Sequence, residues 1–546
     1  MQFISWTITL SLGLATLTLA DIPQPNWRDK LKRPTTSGIV EGVVDNATVP
    51  STPLIKWLGV RYAQDTSGKN RWKPPKAVAP HPGEKVFNAS AYGPACLQGR
   101  ENGGNGTEIQ SEDCLRINII APANASNLPV YIYIHGGGFD SGASSDPKID
   151  GTYLAAQGLI FTSINYRLSL WGFPHSSEIS STQNLGLLDT RAAVEWLHRN
   201  VKAFGGDPGK ITLGGESVGA GMTNFYMSAY HKDPIVRGAI MQSGDVAQPM
   251  WPVDSQLTLL SAKLNCTSGK GQLDCLRTKT GDELRKVLLQ TGAQFQPVTD
   301  GITIWRDYVK QMKEGRTAKI PLLIGTNRDE GTLIVEGEPT AYLDHIAPYI
   351  KSNNLNFPRA TLEKLQSLYP VPSSTYPTAY NASAAIWRDA HMLCHASNLA
   401  KHRSERPPHQ TSPVWRYRWD HVAPNLNSRG ERIGAFHGSS TRFIMGTWRT
   451  IVLSPPFVAA TPAQITISGL MLGAWASFIK DPLRGPRTPG WEKYNPNLPS
   501  TLAILGTSTT RALPGNHTEV DAVCAYWNSL LPAFPETFPA CGTWTC

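Results

Sequence analysis

One stretch constrains this chain more than any other: Lys210-Ile211-Thr212-Leu213-Gly214-Gly215-Glu216-Ser217-Val218-Gly219-Ala220-Gly221. Ile211 to Leu213 is β-branched and aliphatic, and it reads as a short buried strand. It breaks at once into Gly215-Glu216-Ser217-Val218-Gly219, a G-x-S-x-G pentapeptide, and then into small residues that open a helix. A serine between two such glycines fits a tight strand-to-helix turn, where a side chain at Gly215 or Gly219 collides with the neighbouring strand and helix. That turn lifts the Ser217 hydroxyl above the C-terminal edge of a sheet. The chain has 48 glycines, so a lone pentapeptide also arises by chance. The rest of the sequence has to decide.

A second stretch, Pro129-Val130-Tyr131-Ile132-Tyr133-Ile134-His135-Gly136-Gly137-Gly138-Phe139, repeats the logic. Val130 to Ile134 reads as a buried strand, and three glycines follow it directly. Consecutive glycines let backbone N–H groups face an anion with no side chain in the way. The N–H groups of Gly137 and Gly138, with that of Val218, form a candidate oxyanion site. Strand-HGGG followed by strand-GxSxG is the order that α/β hydrolases use.

Strands and helices alternate between and after these motifs. Leu159 to Tyr166 reads as a strand. Asp189 to Val201 reads as an amphipathic helix, with Ala192, Ala193, Trp196, Leu197 and Val201 at three- and four-residue spacing and a stop at Gly205-Gly206. Val236 to Met241 and Pro321 to Gly325 supply later strands. This rhythm predicts an α/β fold, a mostly parallel central sheet with helices on both faces and function at the carboxyl ends of its strands.

A serine nucleophile needs a base, and the base needs an orienting acid. Asp329 and Glu330 follow the last of these strands. Among 13 histidines, His437 stands out in Gly434-Ala435-Phe436-His437-Gly438, where glycines permit a tight loop. The succession Ser217, Glu330, His437 is the Ser, acid, His order of α/β hydrolases.

Compartment is read from other features. Met1 to Ala20 is apolar, uncharged and ends in small residues, the pattern of a secretory signal peptide without a basic n-region. Asn46, Asn88, Asn105, Asn124, Asn265, Asn381 and Asn516 each begin an N-x-[ST] sequon. The 8 cysteines avoid C-x-x-C spacing, which favours disulfides over zinc. Cys96 with Cys114 and Cys266 with Cys275 are the natural local loops among 105 possible pairings. No further run of about 18 apolar residues follows, so no stable membrane anchor is expected. The net charge of +9 is spread along the chain without aromatic-interleaved basic runs, which argues against nucleic-acid binding. No linker divides residues 21–546, which are read as one catalytic domain.

These residues resemble the type-B carboxylesterase/lipase family, which includes cholinesterases and secreted fungal lipases. The likeness extends to Trp57-Leu58-Gly59-Val60-Arg61-Tyr62-Ala63 with Arg71-Trp72-Lys73-Pro74-Pro75, to Ser111-Glu112-Asp113-Cys114-Leu115-Arg116-Ile117-Asn118, and to Asn184-Leu185-Gly186-Leu187-Leu188-Asp189. It implies an α/β-hydrolase fold with large insertions, Ser217 as nucleophile, Glu330 as acid, His437 as base, and oxyanion donors on Gly137, Gly138 and Val218. It further implies disulfides Cys96–Cys114, Cys266–Cys275 and Cys394–Cys524, and an Arg71–Glu112 ion pair. Cys541 and Cys546 are left over and available to pair with each other, by elimination alone, so their pairing is not readable. Two positions depart from the family: Val218 stands where alanine is usual, and Arg61 where proline is usual.

The expectation is a secreted, glycosylated carboxylic ester hydrolase that works through an acyl-serine on small-molecule esters, with no metal and no organic cofactor. Acyl transfer to an alcohol, interfacial lipolysis and a non-catalytic adhesion role are the rival readings. The loop between Cys96 and Cys114 is rich in Gly and polar residues, with only Leu97 and Ile109 aliphatic, unlike an amphipathic lid. Short or medium acyl groups are therefore expected. The oligomeric state is not readable.

Overall fold

Along one strand, neighbouring residues go to opposite sides of a sheet. Val130, Ile132 and Ile134 are buried in one core with Ile211, Leu213, Ala239 and Met241. Tyr131 and Tyr133 are buried in another with Ile240, Leu323 and Tyr417. An extended chain has a side-chain period of two, so unbroken burial of this kind requires cover on both faces. The structure, a computed structural model, describes residues 28–78, 86–100, 109–244, 254–267, 269–305, 308–335, 359–405, 411–426, 430–450 and 459–530. The expected leader 1–20, Asn105, Cys541 and Cys546 lie outside these residues, as does the middle of the loop after Cys96.

Among the described residues, the central sheet has 11 strands. In chain order they are β1 (Val43–Asp45), β2 (Leu54–Arg61), β3 (Arg116–Pro122), β4 (Leu128–Ile134), β5 (Ile160–Ile164) and β6 (Gly206–Glu216). They continue with β7 (Gly238–Gln242), β8 (Leu322–Asn327), β9 (Val414–Trp419), β10 (Leu502–Leu505) and β11 (Leu513–Gly515). The spatial order is β11-β10-β9-β8-β7-β6-β4-β5-β3-β2-β1. From β10 to β5 all neighbours are parallel, and the flanking strands are antiparallel. After β4 the chain runs to β5 on one side and then returns to β6 on the other. That reversal opens a crevice at the carboxyl ends of β4 and β6, where such sheets place their ligands.

Helices α1 (Leu185–Asn200) and α2 (Val218–Ala229) cover the first face, through Leu185, Ala193, Leu197 and Met222. The later helices are α3 (Ala379–Arg388), α4 (Cys394–Ser404) and α5 (Pro462–Lys480). The second face is closed by α5, which is capped by Thr461 and Gln464. It is apolar and long enough to cross a membrane, yet Trp475 packs edge-on against Tyr417 at 5.3 Å between ring centres and Phe478 against Trp415 at 5.8 Å.

Several boundaries differ from the sequence reading by one or more residues; the strands expected over Val236–Met241 and Pro321–Gly325 are Gly238–Gln242 and Leu322–Asn327, and the one read over Ile211–Leu213 runs Gly206–Glu216. The helix expected from Asp189 begins at Leu185, because Leu185 and Leu187 are buried and Asp189 is an interior acid. Its carboxylate accepts from Arg167 Nε at 2.8 Å and Nη2 at 2.7 Å. The strand expected over Leu159 to Tyr166 is the shorter Ile160–Ile164.

Three disulfides join Cys96 to Cys114, Cys266 to Cys275 and Cys394 to Cys524. Beneath the first, Arg71 holds Glu112 in a two-pronged pair (Nε–Oε1 2.5 Å, Nη2–Oε2 2.6 Å). Arg71 also donates to the carbonyls of Leu276 and Lys279, so the second disulfide segment is tied to the first. Arg61 pairs with Asp113 at the end of β2. Of the sequon asparagines, Asn46, Asn88, Asn124 and Asn265 are exposed, while Asn381 and Asn516 are half-buried.

Candidate active site

Ser217 occupies the single residue between β6 and α2, with φ 57° and ψ −131°. A left-handed φ is costly for a side chain with a Cβ, by roughly 1–3 kcal/mol. The turn is held by Ser217 N–H donating to Gln242 O at 2.9 Å and by Ala220 N–H donating to Ser217 O at 2.9 Å. The flanking glycines are required by contact: a Cβ on Gly215 would lie 2.4 Å from Ile134 O, and one on Gly219 only 2.2 Å from it. The end of β4 thus presses directly under the serine turn.

His437 reaches the same place from the loop before Thr441. Its Nδ1 is 2.7 Å from Glu330 Oε2, and Glu330 is fully buried just past β8. Glu330 Oε1 accepts from Asn327 N–H at 2.6 Å. The Asn327 side-chain amide in turn donates to Phe436 O at 2.7 Å, next to the histidine. Asp329 faces elsewhere. It accepts from Ala435 N–H at 2.8 Å and pairs with Arg328 at 2.8 Å. Of the two adjacent carboxylates, only Glu330 meets the imidazole. The Trp387 ring stands edge-on to His437, 6.1 Å between centres. It projects from the end of α3, where a π-turn, Asp389–Leu393, joins α3 to α4.

Ser217 and His437 line one cavity of about 560 Å³, together with Gly136, Gly137 and Gly138. Gly137 and Gly138 have φ of 115° and 69°, and a Cβ on Gly136 would approach Ser217 Cβ to 3.0 Å. Val218 opens α2, and first-turn N–H groups have no acceptor within their own helix. The two glycine motifs and the two loops after β8 and β9 therefore converge on one point.

Several residues in or beside this cavity were not singled out by sequence reasoning. Glu216, the variable residue of the pentapeptide, places Oε1 3.4 Å from His437 Nε2. Its pKa is raised, first by burial, with His437 acting in the opposite direction. An acid ending an otherwise apolar strand was the available signal. His135 stacks on Tyr166 at 4.6 Å, and burial pushes its pKa down to about 4, so it is neutral. Asn327, Trp387, Lys148 and Arg442 carried no local signal at all. Among the described residues, no group of three or more His, Cys, Asp or Glu side chains is placed to hold a metal ion.

A serine on a strand–turn–helix elbow over the switch point of a parallel sheet, with a carboxylate-bound histidine beside it, defines an α/β hydrolase. The chain belongs to the Carboxylesterase family, whose model matches residues 29–522, and is a type-B carboxylesterase. It is similar to the para-nitrobenzyl esterase of Bacillus subtilis, with 33% identity covering 86% of this chain and 93% of that one. It is also similar to a secreted lipase of Arthroderma benhamiae, with 26% identity over 90% of this chain and 88% of the relative. A solved structure of a PNB esterase superposes with a TM-score of 0.73 at 30% identity, covering 90% of this chain and 98% of that chain.

Proposed function

We propose that the protein is a secreted, glycosylated ester hydrolase in which Ser217 attacks the ester carbonyl. His437 takes the serine proton through Nε2 and returns it to the departing alcohol. Glu330 accepts from Nδ1–H, which fixes the tautomer and stabilises the imidazolium. The N–H groups of Gly137, Gly138 and Val218 hold the oxyanion of the tetrahedral intermediate. Water then repeats the sequence on the acyl-serine and releases the acid. The observation that carries this reading is the 2.7 Å contact of buried Glu330 with His437, which lines the same cavity as Ser217.

Secretion and glycosylation are supported by three disulfides, by four exposed sequon asparagines and by a relative named as a secreted lipase. Soluble esters with short or medium acyl groups are the proposed substrates, because the segment after Cys96 is polar and Gly-rich. Mass spectrometry of products from a panel of esters, with and without added alcohols, tests the reading. Free acid plus alcohol is the expected product. Acylated alcohols dominating at low alcohol concentration would replace hydrolysis by acyl transfer, and an enzyme that turns over no ester at all would overturn both.

A further inference from the structure

The cavity beside Ser217 contains two cations that the hydrolytic chemistry does not use, Arg442 and Lys148. Arg442 stands on the short turn Thr441–Met445 that follows the His437 loop, and Lys148 on Pro147–Ile149 beyond the glycine motif. Thr447, fully buried, ties these segments together. Its hydroxyl donates to Lys148 O at 2.8 Å, and its carbonyl accepts from Arg442 Nη1 at 3.5 Å. Thr447 therefore joins the two cavity-lining segments that carry these charges.

Arg442 differs from three of the buried arginines elsewhere in the fold. Arg71, Arg167 and Arg416 each have their own carboxylate, from Glu112, Asp189 and Asp521. Arg442 is half-buried, and among the described residues that long carbonyl contact is its hydrogen bond and no carboxylate pairs with it. A guanidinium has five N–H donors in a planar fork, so most of the donors of this cavity-lining side chain have no protein acceptor among the described residues. Two acids also face this space. Asp146 lies 4.0 Å from Lys148 Nζ and acts on Arg442 only through space. Glu216 is directed at His437. Ile149 and Phe443 line the same space and offer apolar contact to a short carbon chain.

We propose that Arg442, assisted by Lys148, binds a carboxylate carried by the ester itself, so that the preferred substrates are esters bearing a free carboxylate. The fork geometry matches a carboxylate with two parallel hydrogen bonds. The anion sits on the acyl side, as in a monoester of a dicarboxylic acid, or on the alcohol side, as in an acylated hydroxy acid. This inference rests on the ester-hydrolase reading above.

Two pairs of substrates separate the cases: para-nitrophenyl hydrogen adipate against para-nitrophenyl hexanoate, and para-acetoxybenzoate against para-acetoxybenzamide. The readout is the ratio of kcat/KM for the anionic ester to that for its neutral partner. The ratio should exceed one in at least one pair. In that pair it should fall about tenfold in Arg442→Met, the scale of one charge-assisted contact, with partial recovery in Arg442→Lys. Raising the ionic strength should lower the ratio for the unaltered enzyme, a measurement that needs no variant to fold. Neutral esters hydrolysed with a ratio below one and insensitive to salt in both pairs would remove the anion site and leave the esterase standing. Failure to hydrolyse any of the four esters would remove both.

Discussion

His437 Nδ1 lies 2.7 Å from Glu330 Oε2, while the neighbouring carboxylate of Asp329 accepts from Ala435 N–H at 2.8 Å. Two acids adjacent in sequence thus serve opposite ends of one loop, one gripping the imidazole and the other the backbone before it. Glu330→Gln should lower kcat by on the order of 10⁴-fold, by presenting an amide where the imidazole N–H needs an acceptor. Asp329→Asn should cost less than about tenfold, since it touches no proposed reacting group. Steady-state kinetics on one chromogenic ester decides it, and a reversed ranking would move the acid to Asp329.

The serine turn allows activity and strain to be separated. Ser217→Ala and Ser217→Gly should both abolish turnover, by about 10⁶-fold for a unit of this kind. Their stabilities should differ. Alanine keeps a Cβ at φ 57°, whereas glycine adopts that angle freely, so Ser217→Gly should be the more stable by about 1 kcal/mol. Urea unfolding of the two variants measures this, and equal midpoints would show that the turn stores no such strain.

His135 gives a pH dependence with a defined sign. Unfolded, it titrates near 6.5, while burial in the fold lowers its pKa to about 4. Between those values the unfolded chain binds a proton that the folded chain refuses. Its contribution to stability is therefore full above about pH 6.5, falls as the pH drops, and is exhausted near pH 4. The whole span is worth about 3 kcal/mol. His135→Phe should flatten the difference in unfolding free energy between pH 7 and pH 4.5. An unchanged difference would show that the ring takes up a proton without unfolding.

The disulfides should not contribute equally. Cys394–Cys524 spans 130 residues, and Cys266–Cys275 spans 9. In the chain-entropy account a loop of the first size restrains the unfolded chain by about 5 kcal/mol and a short one by about 3. Double serine replacement of the long bridge should lower the chemical denaturation midpoint more than replacement of the short one. The opposite ranking would place the main effect in native packing.

The substrate range has its own check. If the polar, Gly-rich loop after Cys96 forms no amphipathic lid, as proposed, the rate on a short-chain ester should rise smoothly and saturate below its solubility limit. A sharp rise once droplets form would identify an interfacial lipase.

How much of this was legible depended on whether the signal was local. Ser217 and the glycines after β4 announced themselves because strained turns leave glycine patterns, and His437 and Glu330 followed from chain order. Arg416 shows the opposite case. Strand β9 reads Trp415, Arg416, Tyr417, Arg418, Trp419, which suggests a half-solvated strand, yet Arg416 is almost wholly buried because Asp521 supplies its partner from 105 positions along the chain. Arg442 is similar: its charge was plain, but its place in the cavity depends on Thr447 and on a loop that sequence alone does not orient. Helix α1 extends back to Leu185 because Asp189 is an interior acid paired with Arg167 and not a point at which the helix can begin in solvent.

Asn327 donates from its backbone to Glu330 and from its side chain to Phe436 O, and Asp329 exchanges hydrogen bonds with Ala435 in both directions. The proposed acid and base are therefore carried on two loops joined by several hydrogen bonds, while Ser217 stands on the turn between β6 and α2. In the proposed mechanism, a shift between these two units would change the Ser217–His437 gap while leaving the His437–Glu330 contact of 2.7 Å in place.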